Sequence, residues 1–374
     1  MTSFDDLRAD HGAFNRYPAF LVGSAAWGEL SAPGVSLRVH SVFASSVNLE
    51  VGGSKRLVAL TGPSGRVYPH AVVLGHPVDF RTWRLATGSS APLAGGLIRM
   101  DGQVITVAVD LNRALRGPPR SLPSIVRFTN VCHTCATQLA EVQARRQFDL
   151  RLDALRDPGR PMQKEGETLR QAALVLGASA RTLACADEPG FCPDSRVGLA
   201  AIRSSVSSLV GLGTGLTPSG DDLLCGFMSA VRARFCGEPH SGGELLGSLC
   251  LAVEENLGST GEISASLVRS MIQGHWPEPL VDLADAIAAD RESEALQALE
   301  DLCRLGHSSG ADIATGFFFG LEVLSDRGIE TSVRSLTNLK APTVHRQSRC
   351  ATQPPFDRGP DSLGRPNHPG VTLY

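Results

Sequence analysis

The sequence lacks any apolar run that approaches the ~20 residues a membrane-spanning helix requires. Its opening segment, MTSFDDLRADHG, mixes both signs of charge and lacks the apolar stretch of a secretory signal. These two absences predict a protein of the cytoplasm that does not enter a membrane.

Strong charge of either sign is also missing. The formal net charge is −3, so nothing in the overall balance indicates nucleic acid or an anionic membrane surface as a partner. Hydrophobic residues make up 42% of the chain and charged residues 20%, which is typical of a globular protein. With 374 residues, the chain is long enough for two domains of the usual ~100–200 residues.

The nine cysteines do not form a disulfide framework, because their number is odd and they are scattered over a large chain. Cys132 and Cys135 have the C-x-x-C spacing of zinc and redox sites. However, a zinc site needs a second pair, and none occurs at a suitable spacing. We interpret them as reduced cysteines near the start of a helix.

The first part of the chain has the pattern of β-strands. Short alternating or continuous apolar segments lie at 35–39, 47–51, 56–60, 71–74, 97–100 and 104–109. The last two flank Asp101-Gly102, the pair most typical of a tight hairpin turn. This pattern predicts a β-rich N-terminal domain, residues 1–125, built as an antiparallel sheet or a small barrel.

From about residue 136 the periodicity becomes helical. Further helical segments are predicted at 168–176, 196–210, 222–235, 244–257, 263–273, 279–289, 293–305 and 313–324. The predicted fold class is therefore α+β, with a mostly α-helical domain at 126–336. The polar, proline-rich tail at 337–374 is expected to be disordered.

Two glycine-containing motifs precede apolar helices in this second part. The first, GLGTGLTPSGDD, lies at 211–222; the second, GHSSGAD, lies at 306–312. Aligned at Ser219 and Ser309, ninety residues apart (309 − 219), TPSGDDLLCGF faces HSSGADIATGF. The echo indicates either an ancient duplication or convergence on one geometry of helix start.

Helix capping alone would explain part of each motif. Ser-x-x-Asp before an apolar run resembles a capping box, in which the serine accepts a backbone hydrogen bond and the acidic residue bonds back. On this interpretation Asp222 and Asp312 are capping residues, whereas Asp221, in the first turn, has no obligatory backbone partner.

Capping does not explain three alternating glycines or a second carboxylate. Dense glycines let a backbone approach a ligand closely, and a helix start adds partial positive charge, which together suit phosphate or carboxylate. The loop is not a Walker loop, because G-K-[ST] is absent, and no βαβ frame for a dinucleotide fold surrounds it. The expected anion-binding residues are Gly211, Gly213, Gly215, Thr217, Ser219, Gly220, Ser308, Ser309 and Gly310.

The candidate catalytic residues are Asp221, Asp222, His307 and Asp312. Asp221 and Asp222 would hold Mg²⁺ against a phosphate, or exchange protons with the substrate. His307 would polarise a carbonyl or shuttle a proton near neutral pH; the alternative is a loop histidine bonded to a backbone carbonyl. No cofactor other than possible Mg²⁺ is indicated. A third stretch, 259–264, places Ser and Thr at another helix start and either lines the same pocket or only caps that helix.

The segments GLGTGLTPSGDDLLCGF, TGEISASL and LGHSSGADIATGF resemble the AllH-like family. HSVFASSVNLEV and the stretch around Tyr68–Leu74 resemble its β-rich N-terminal part. The resemblance runs from about Val39 to Leu324. It implies a subunit of an oxamate carbamoyltransferase of anaerobic allantoin breakdown, which exchanges oxalurate and phosphate for oxamate and carbamoyl phosphate. It also implies assembly with other, different subunits and small anionic substrates.

Two other classes of function stay open. A ligand-binding or scaffolding subunit would keep the glycine loop without a general base. A nucleotide-dependent phosphotransferase would need a base pocket and Mg²⁺, and nucleotides would then stabilise the protein against heat.

Overall fold

The structure, a computed structural model, describes residues 15–53, 55–63, 68–100, 105–108, 115–116, 122–125, 127–146, 151–157, 162–184, 195–235 and 241–325. The tail at 337–374 and the hairpin turn Asp101-Gly102 lie outside these residues.

Strands dominate the N-terminal part, as the sequence predicts. They are β1 (Asn15–Val22), β2 (Leu37–Val42), β3 (Ser46–Val51), β4 (Arg56–Thr61), β5 (Ala71–Leu74), β6 (Leu93–Ala94), β7 (Leu97–Met100), β8 (Ile105–Ala108) and β9 (Leu115–Arg116). A helix, α1 (Ser24–Leu30), follows β1. The predicted hairpin is confirmed in its pairing, since β7 and β8 are antiparallel and Met100 faces Ile105.

The strands form one sheet in the order β2-β3-β4-β5-β1-β8-β7-β6, with β9 also paired to β1. The antiparallel prediction is wrong for three pairs, because β4–β5, β1–β8 and β1–β9 are parallel. The alternation of apolar residues indicates which face of a strand is buried, but it does not depend on whether the neighbouring strand is parallel or antiparallel.

The sheet curls into a nearly closed barrel. Segment 88–91, just before edge strand β6, hydrogen-bonds to β2 at the opposite edge. Val39 N–H donates to Ser89 O at 2.9 Å, and Ala91 N–H donates to Leu37 O at 2.8 Å. These bonds cover the exposed edge of β2 and enclose an apolar core.

The remainder is helical. The helices are α2 (Asn130–Arg146), α3 (Leu152–Arg156), α4 (Lys164–Ala184), α5 (Ser195–Leu209), α6 (Ser219–Arg234), α7 (Ser241–Asn256), α8 (Glu262–Ile272), α9 (Glu278–Ala288), α10 (Glu292–Cys303) and α11 (Ser309–Val323). All the predicted helical segments are confirmed, although α4 is longer than expected and the sequence did not indicate α3. Together with the barrel they confirm the α+β class. The thiols of Cys132 and Cys135, on α2, are buried and free, in agreement with the reduced-cysteine interpretation.

Helices α6 and α11 form the centre of the helical part. Nearly every residue of both is buried, which is the pattern of a helix surrounded by other elements rather than lying on a surface. No helix in the described parts of the chain is both long and apolar enough to cross a membrane.

Helix α8 joins the helical part to the barrel. The Leu57 N–H of β4 donates to Ser266 Oγ at 2.9 Å in a buried position. His40 Nε2 lies 2.8 Å from Glu262 Oε2 at the start of α8. The two contacts fix the start of α8, which adjoins the first glycine motif, against the sheet.

We expect Gly226→Ala to destabilise the fold strongly. A Cβ at this position would lie 1.9 Å from Ile313 O and 2.7 Å from Phe317 N, so α6 and α11 would have to move apart. Overpacking of this kind costs about 1–3 kcal/mol or more. The measurement is the urea midpoint of unfolding.

Gly247→Ala is the matched control, because this exposed helical glycine has nothing within 4 Å of its added Cβ. Alanine there should leave stability unchanged or raise it by up to about 1 kcal/mol. Equal midpoints for the two variants would show that the close contact between α6 and α11 is absent.

Candidate functional site

The two motifs start two helices that run side by side in the same direction. Ser219 bonds Asp312, Gly316 packs on Leu223, and four residues further along both helices Gly320 packs on Phe227. The contacts advance equally along α6 and α11, so the helices are parallel and both begin at the same end. The two motifs therefore lie side by side at one end of the helix pair, although they are far apart in the sequence.

The echo extends to the turn before each helix. Gly220 N–H donates to Leu212 O at 2.9 Å, and Gly310 N–H donates to Leu305 O at 3.0 Å. A Cβ at Gly220 would lie 2.0 Å from Leu209 O, and one at Gly310 would lie 1.7 Å from Leu302 O. The same helix–turn–helix geometry therefore occurs twice, and the likeness of the two motifs extends beyond the helix start to the turn before it.

The first turn is three residues longer than the second, since eight positions separate Leu212 from Gly220 and five separate Leu305 from Gly310. The additional length lies in an exposed loop at 213–216. Gly213 and Gly215 have φ of +121° and +97°, values that favour glycine. A Cβ at Gly213 would also come within 2.7 Å of Ser219 N.

The capping interpretation is wrong for both helix starts. The N-cap of α6 is Pro218, which has no side chain to accept a hydrogen bond, and Ser219 is the first helical residue. The N-cap of α11 is Ser308, a half-buried residue whose side chain makes no capping hydrogen bond. The motif serines therefore contact other groups.

Hydroxyl groups connect the two starts across the helix pair. Thr217 Oγ1 and Ser309 Oγ are 2.5 Å apart, and Ser219 Oγ donates to Asp312 Oδ2 at 2.8 Å. Thr217, Ser219 and Ser309 are half-buried, so this seam lies between the surface and the core.

Asp221 holds the first motif in place, although its position in the first turn predicts no obligatory backbone partner. Its Oδ1 accepts the Gly211 N–H at 2.8 Å, and its Oδ2 accepts the hydroxyls of Thr260 and Ser264 at 2.5 and 2.6 Å. The stretch 259–264 thus meets the first motif. Gly211 packs on the same stretch, because its Cβ would lie 2.3 Å from Ser259 O.

Asp222 faces the opposite way, toward α11. Its carboxylate is buried, and no hydrogen bond of ordinary geometry reaches either oxygen. Burial raises the pKa of Asp222 well above its usual value; the Asp312 and Asp221 carboxylates raise it too, against a smaller effect of the Ser309 and Thr217 hydroxyls. These surroundings favour the neutral form of the carboxyl group.

The N-terminal part supplies a side chain that the sequence did not indicate. Tyr68, just before β5, packs against the helical core beside Asp222. Burial raises the pKa of the Tyr68 phenol above its usual value, and the charge on Asp222 raises it further. The local sequence does not indicate that Tyr68 lies at the candidate site, since Asp222 is more than 150 residues away in the chain.

The remaining candidates lie nearer the surface. His307 is exposed, and Ser308 is half-buried beside it. The candidate site thus has an outer layer formed by loop 213–216 and residues 307–309, and an inner layer formed by the carboxylates of Asp222 and Asp312.

Asp221 and Asp222 do not face one common point, because they contact different groups. Within the described residues, no set of three or more His, Cys, Asp or Glu side chains is arranged to hold a metal ion. A role for Mg²⁺ at Asp221 and Asp222 stays a prediction from the sequence.

A cleft of about 490 Å³ lies elsewhere, between α9 and α10. Its lining includes Asp282, Asp285, Arg291 and Asp301 and no residue of either motif. The motif residues and their contacts, rather than the size of this cleft, define the candidate site.

We expect Asp221→Asn to lower stability by about 1.5–3 kcal/mol, the range for a hydrogen bond to a charged group. The amide retains only one acceptor oxygen for the three donors that Asp221 accepts from. Chemical denaturation at pH 7 measures the loss. Asp290→Asn is the control, because Asp290 is exposed; equal stabilities for the two variants would contradict the structural role of Asp221.

We expect Asp222→Asn to have the opposite effect at neutral pH. An unfolded aspartate titrates near about 3.9, so above that pH the folded wild type binds one proton more than the unfolded chain. Its stability should then fall with rising pH by up to about 1.4 kcal/mol per unit until the folded pKa is reached. The asparagine variant lacks this proton and should be the more stable protein at pH 7.

The check is the free energy of unfolding of both proteins between pH 4 and pH 8. The difference should grow with pH and disappear near the lower end. Parallel curves would mean that Asp222 has no raised pKa in the folded protein.

Comparison with known proteins supports the resemblance seen in the motifs. Residues 209–321 match the family model described as oxamate carbamoyltransferase subunit AllH, a span that contains both motifs, all of α6 and most of α11. Residues 21–116 match the AllH family N-terminal domain, which covers most of the barrel. No solved structure matches the chain. Because the two matches cover more than half of the sequence and include its central helix pair, the chain belongs to the AllH family of oxamate carbamoyltransferase subunits.

Proposed function

We propose that this chain works within a multisubunit oxamate carbamoyltransferase and binds an anionic substrate at the paired starts of α6 and α11. The reaction would be the exchange of oxalurate and phosphate for oxamate and carbamoyl phosphate, as in allantoin breakdown. The observation that carries the proposal is the convergence of two glycine-bounded helix starts on one seam of hydroxyl groups.

The paired starts suit anions for a simple electrostatic reason. Each helix start carries about half a positive charge, and two parallel helices direct these partial charges at the same region. Thr217, Ser219 and Ser309 add hydroxyl groups that can donate to phosphate or carboxylate oxygens. Because burial favours the neutral form of Asp222, this carboxyl group would repel the ligand less than an exposed carboxylate would.

The exposed loop at 213–216 would supply further backbone N–H groups to a ligand bound at the seam of hydroxyl groups. Its glycines at positive φ allow the main chain to approach a ligand without an intervening side chain. His307 is exposed, and Ser308 is half-buried. We assign His307 to the polarisation of the carbonyl group that accepts the attack, a role that suits an imidazole near neutral pH.

The family assignment points to a hetero-oligomer with other carbamoyltransferase subunits. The free cysteines suit a reducing compartment such as the cytoplasm. If Mg²⁺ takes part, we expect it to arrive with the phosphate and to be held mainly by oxygen atoms of the ligand.

We expect Thr217→Val to lower kcat/KM for carbamoyl phosphate formation about tenfold or more, because a hydrogen bond to a charged ligand is lost while the shape is kept. The assay uses the complex reconstituted with the subunits encoded beside this chain, supplied with oxalurate and phosphate. Thr137→Val, at an exposed position of α2, is the matched control and should leave turnover unchanged.

Three results would contradict the proposal. Full activity in Thr217→Val would separate the seam from substrate binding. Full activity in all variants of both motifs, with an intact complex, would make this chain a scaffolding subunit. Thermal stabilisation by a nucleotide with Mg²⁺, and none by phosphate or oxalurate, would instead indicate a phosphotransferase.

A further inference from the structure

A row of polar side chains lies where the barrel meets α8, and none of them takes part in the proposed function. His40 Nδ1 lies 3.0 Å from Ser41 Oγ, and His40 Nε2 lies 2.8 Å from Glu262 Oε2. On the other side of Ser41, the buried Asn48 amide donates to Ser41 Oγ at 3.0 Å. A hydroxyl, an imidazole and a carboxylate therefore follow one another in hydrogen-bond contact.

A β-bulge brings His40 and Ser41 together. Consecutive side chains of a regular strand point to opposite faces of the sheet, so adjacent residues do not normally meet. Val39 of β2 pairs with Leu49 of β3. The next pair is Ser41 with Asn48, so His40 is one residue more on β2 than β3 can match. Bulges of this kind redirect a side chain and are frequent next to active sites.

The hydrogen atoms of the row have one consistent placement. A carboxylate only accepts, so His40 donates its Nε2–H to Glu262, which leaves a lone pair on Nδ1. Ser41 Oγ accepts from Asn48, so its own hydroxyl hydrogen is directed to His40 Nδ1. This is the order of an activated serine, in which the imidazole accepts the hydroxyl proton and the carboxylate orients the imidazole.

The row is accessible from solvent. Ser41 is half-buried, and the side chain of His40 is 22% exposed, so a small carbonyl compound can reach the hydroxyl beside the imidazole. The Glu262 side chain is 54% exposed, so water weakens the effect of its charge.

We propose that Ser41, His40 and Glu262 form a second reactive site, in which Ser41 is the nucleophile toward small activated esters and carbamoyl compounds. Ser41 and His40 contact the reacting atoms, whereas Glu262 and Asn48 are positioning residues. Because the site uses no residue of the two glycine motifs, it reacts whether or not the paired helix starts bind phosphate.

The reaction is a hydrolysis through a covalent ester. Ser41 Oγ attacks the carbonyl carbon and forms a C–O bond, while its proton passes to His40 Nδ1. The bond from that carbon to the leaving group breaks, and the leaving group departs with the electron pair and takes the proton from His40. Water then attacks the ester and gives a proton to His40, which returns it to Ser41 Oγ as the acid is released. No oxidant or reductant is required.

The first test is acetylation of the purified full-length chain by p-nitrophenyl acetate at pH 7, stopped with acid at successive times and located by mass spectrometry of the peptides. Ser41 should be acetylated about 10²-fold faster than Ser45, an exposed serine of the same hairpin, and His40→Gln should remove this difference. An unmodified Ser41 in the wild type, or an equal rate in His40→Gln, would overturn the proposal.

Turnover of the same ester has a matched pair of variants. Ser41→Ala should lower the hydrolysis rate about as far as His40→Gln does, whereas Ser45→Ala should leave it unchanged. Equal rates in the two alanine variants would show that the hydrolysis takes place at another group.

The second test measures the base without an ester. At pH 7, iodoacetamide should alkylate the thiol of Ser41→Cys at least about tenfold faster than that of Ser45→Cys, although position 45 is the more exposed. The reason is that a neighbouring imidazole favours the reactive thiolate. Adding His40→Gln to Ser41→Cys should abolish the advantage; an advantage that persists would mean that His40 is not the base.

Glu262 is tested by removing its charge while keeping an acceptor. Glu262→Gln should lower the acetylation rate of Ser41 about fivefold, because an exposed ion pair is weak, and should leave the melting temperature unchanged. Glu262→Asp should restore part of the rate, and Glu255→Gln, at an exposed position of α7, should have no effect. A full rate in Glu262→Gln would overturn the three-residue site and leave the contact with His40 as a link between α8 and the barrel.

Discussion

The close parallel packing of α6 and α11 is the constraint on which the rest of the helical part depends. Gly226 packs on the backbone of Ile313, and Gly316 packs on the backbone of Leu223. Helices that meet through glycines come much nearer than the usual 8–10 Å between packed axes. The approach brings both helix starts, with their hydroxyl and carboxyl groups, into one place, and it excludes water from the groups between them.

This packing gives two adjacent residues opposite roles. Asp221 points toward Gly211 and the start of α8, where three donors stabilise its charge. Asp222, about 100° further around α6, points toward Asp312 and loses solvation without gaining a comparable set of donors. The folded protein therefore retains one satisfied carboxylate and one destabilised carboxyl group in a single turn. Unfavourable burial of this kind is common at active sites, where it shifts the pKa values of catalytic groups.

The barrel contributes to the same region even though its own core is separate. Strand β4 contacts α8 through Leu57 and Ser266, and the segment before β5 brings Tyr68 to Asp222. Helix α8 in turn lies next to Thr260, which bonds Asp221. The N-terminal part thus contacts the helix beside the first glycine motif and places Tyr68 beside Asp222, so both matched parts of the family contribute residues to the candidate site.

The sequence alone determined the α+β class, most helices, the two motifs and their repetition. Hydrophobic periodicity, turn residues and motifs are all properties of residues that lie close together in the sequence. Strand direction in the sheet, the position of Tyr68 and the partners of Asp221 were decided by the tertiary structure, since each depends on contacts between residues far apart in sequence. That Ser219 does not cap its helix also depends on contacts between residues far apart in the sequence. A Ser-x-x-Asp pattern is compatible with a cap or with a contact across two helices, and only the glycine-mediated approach of α11 determines which groups the serine and the aspartate meet.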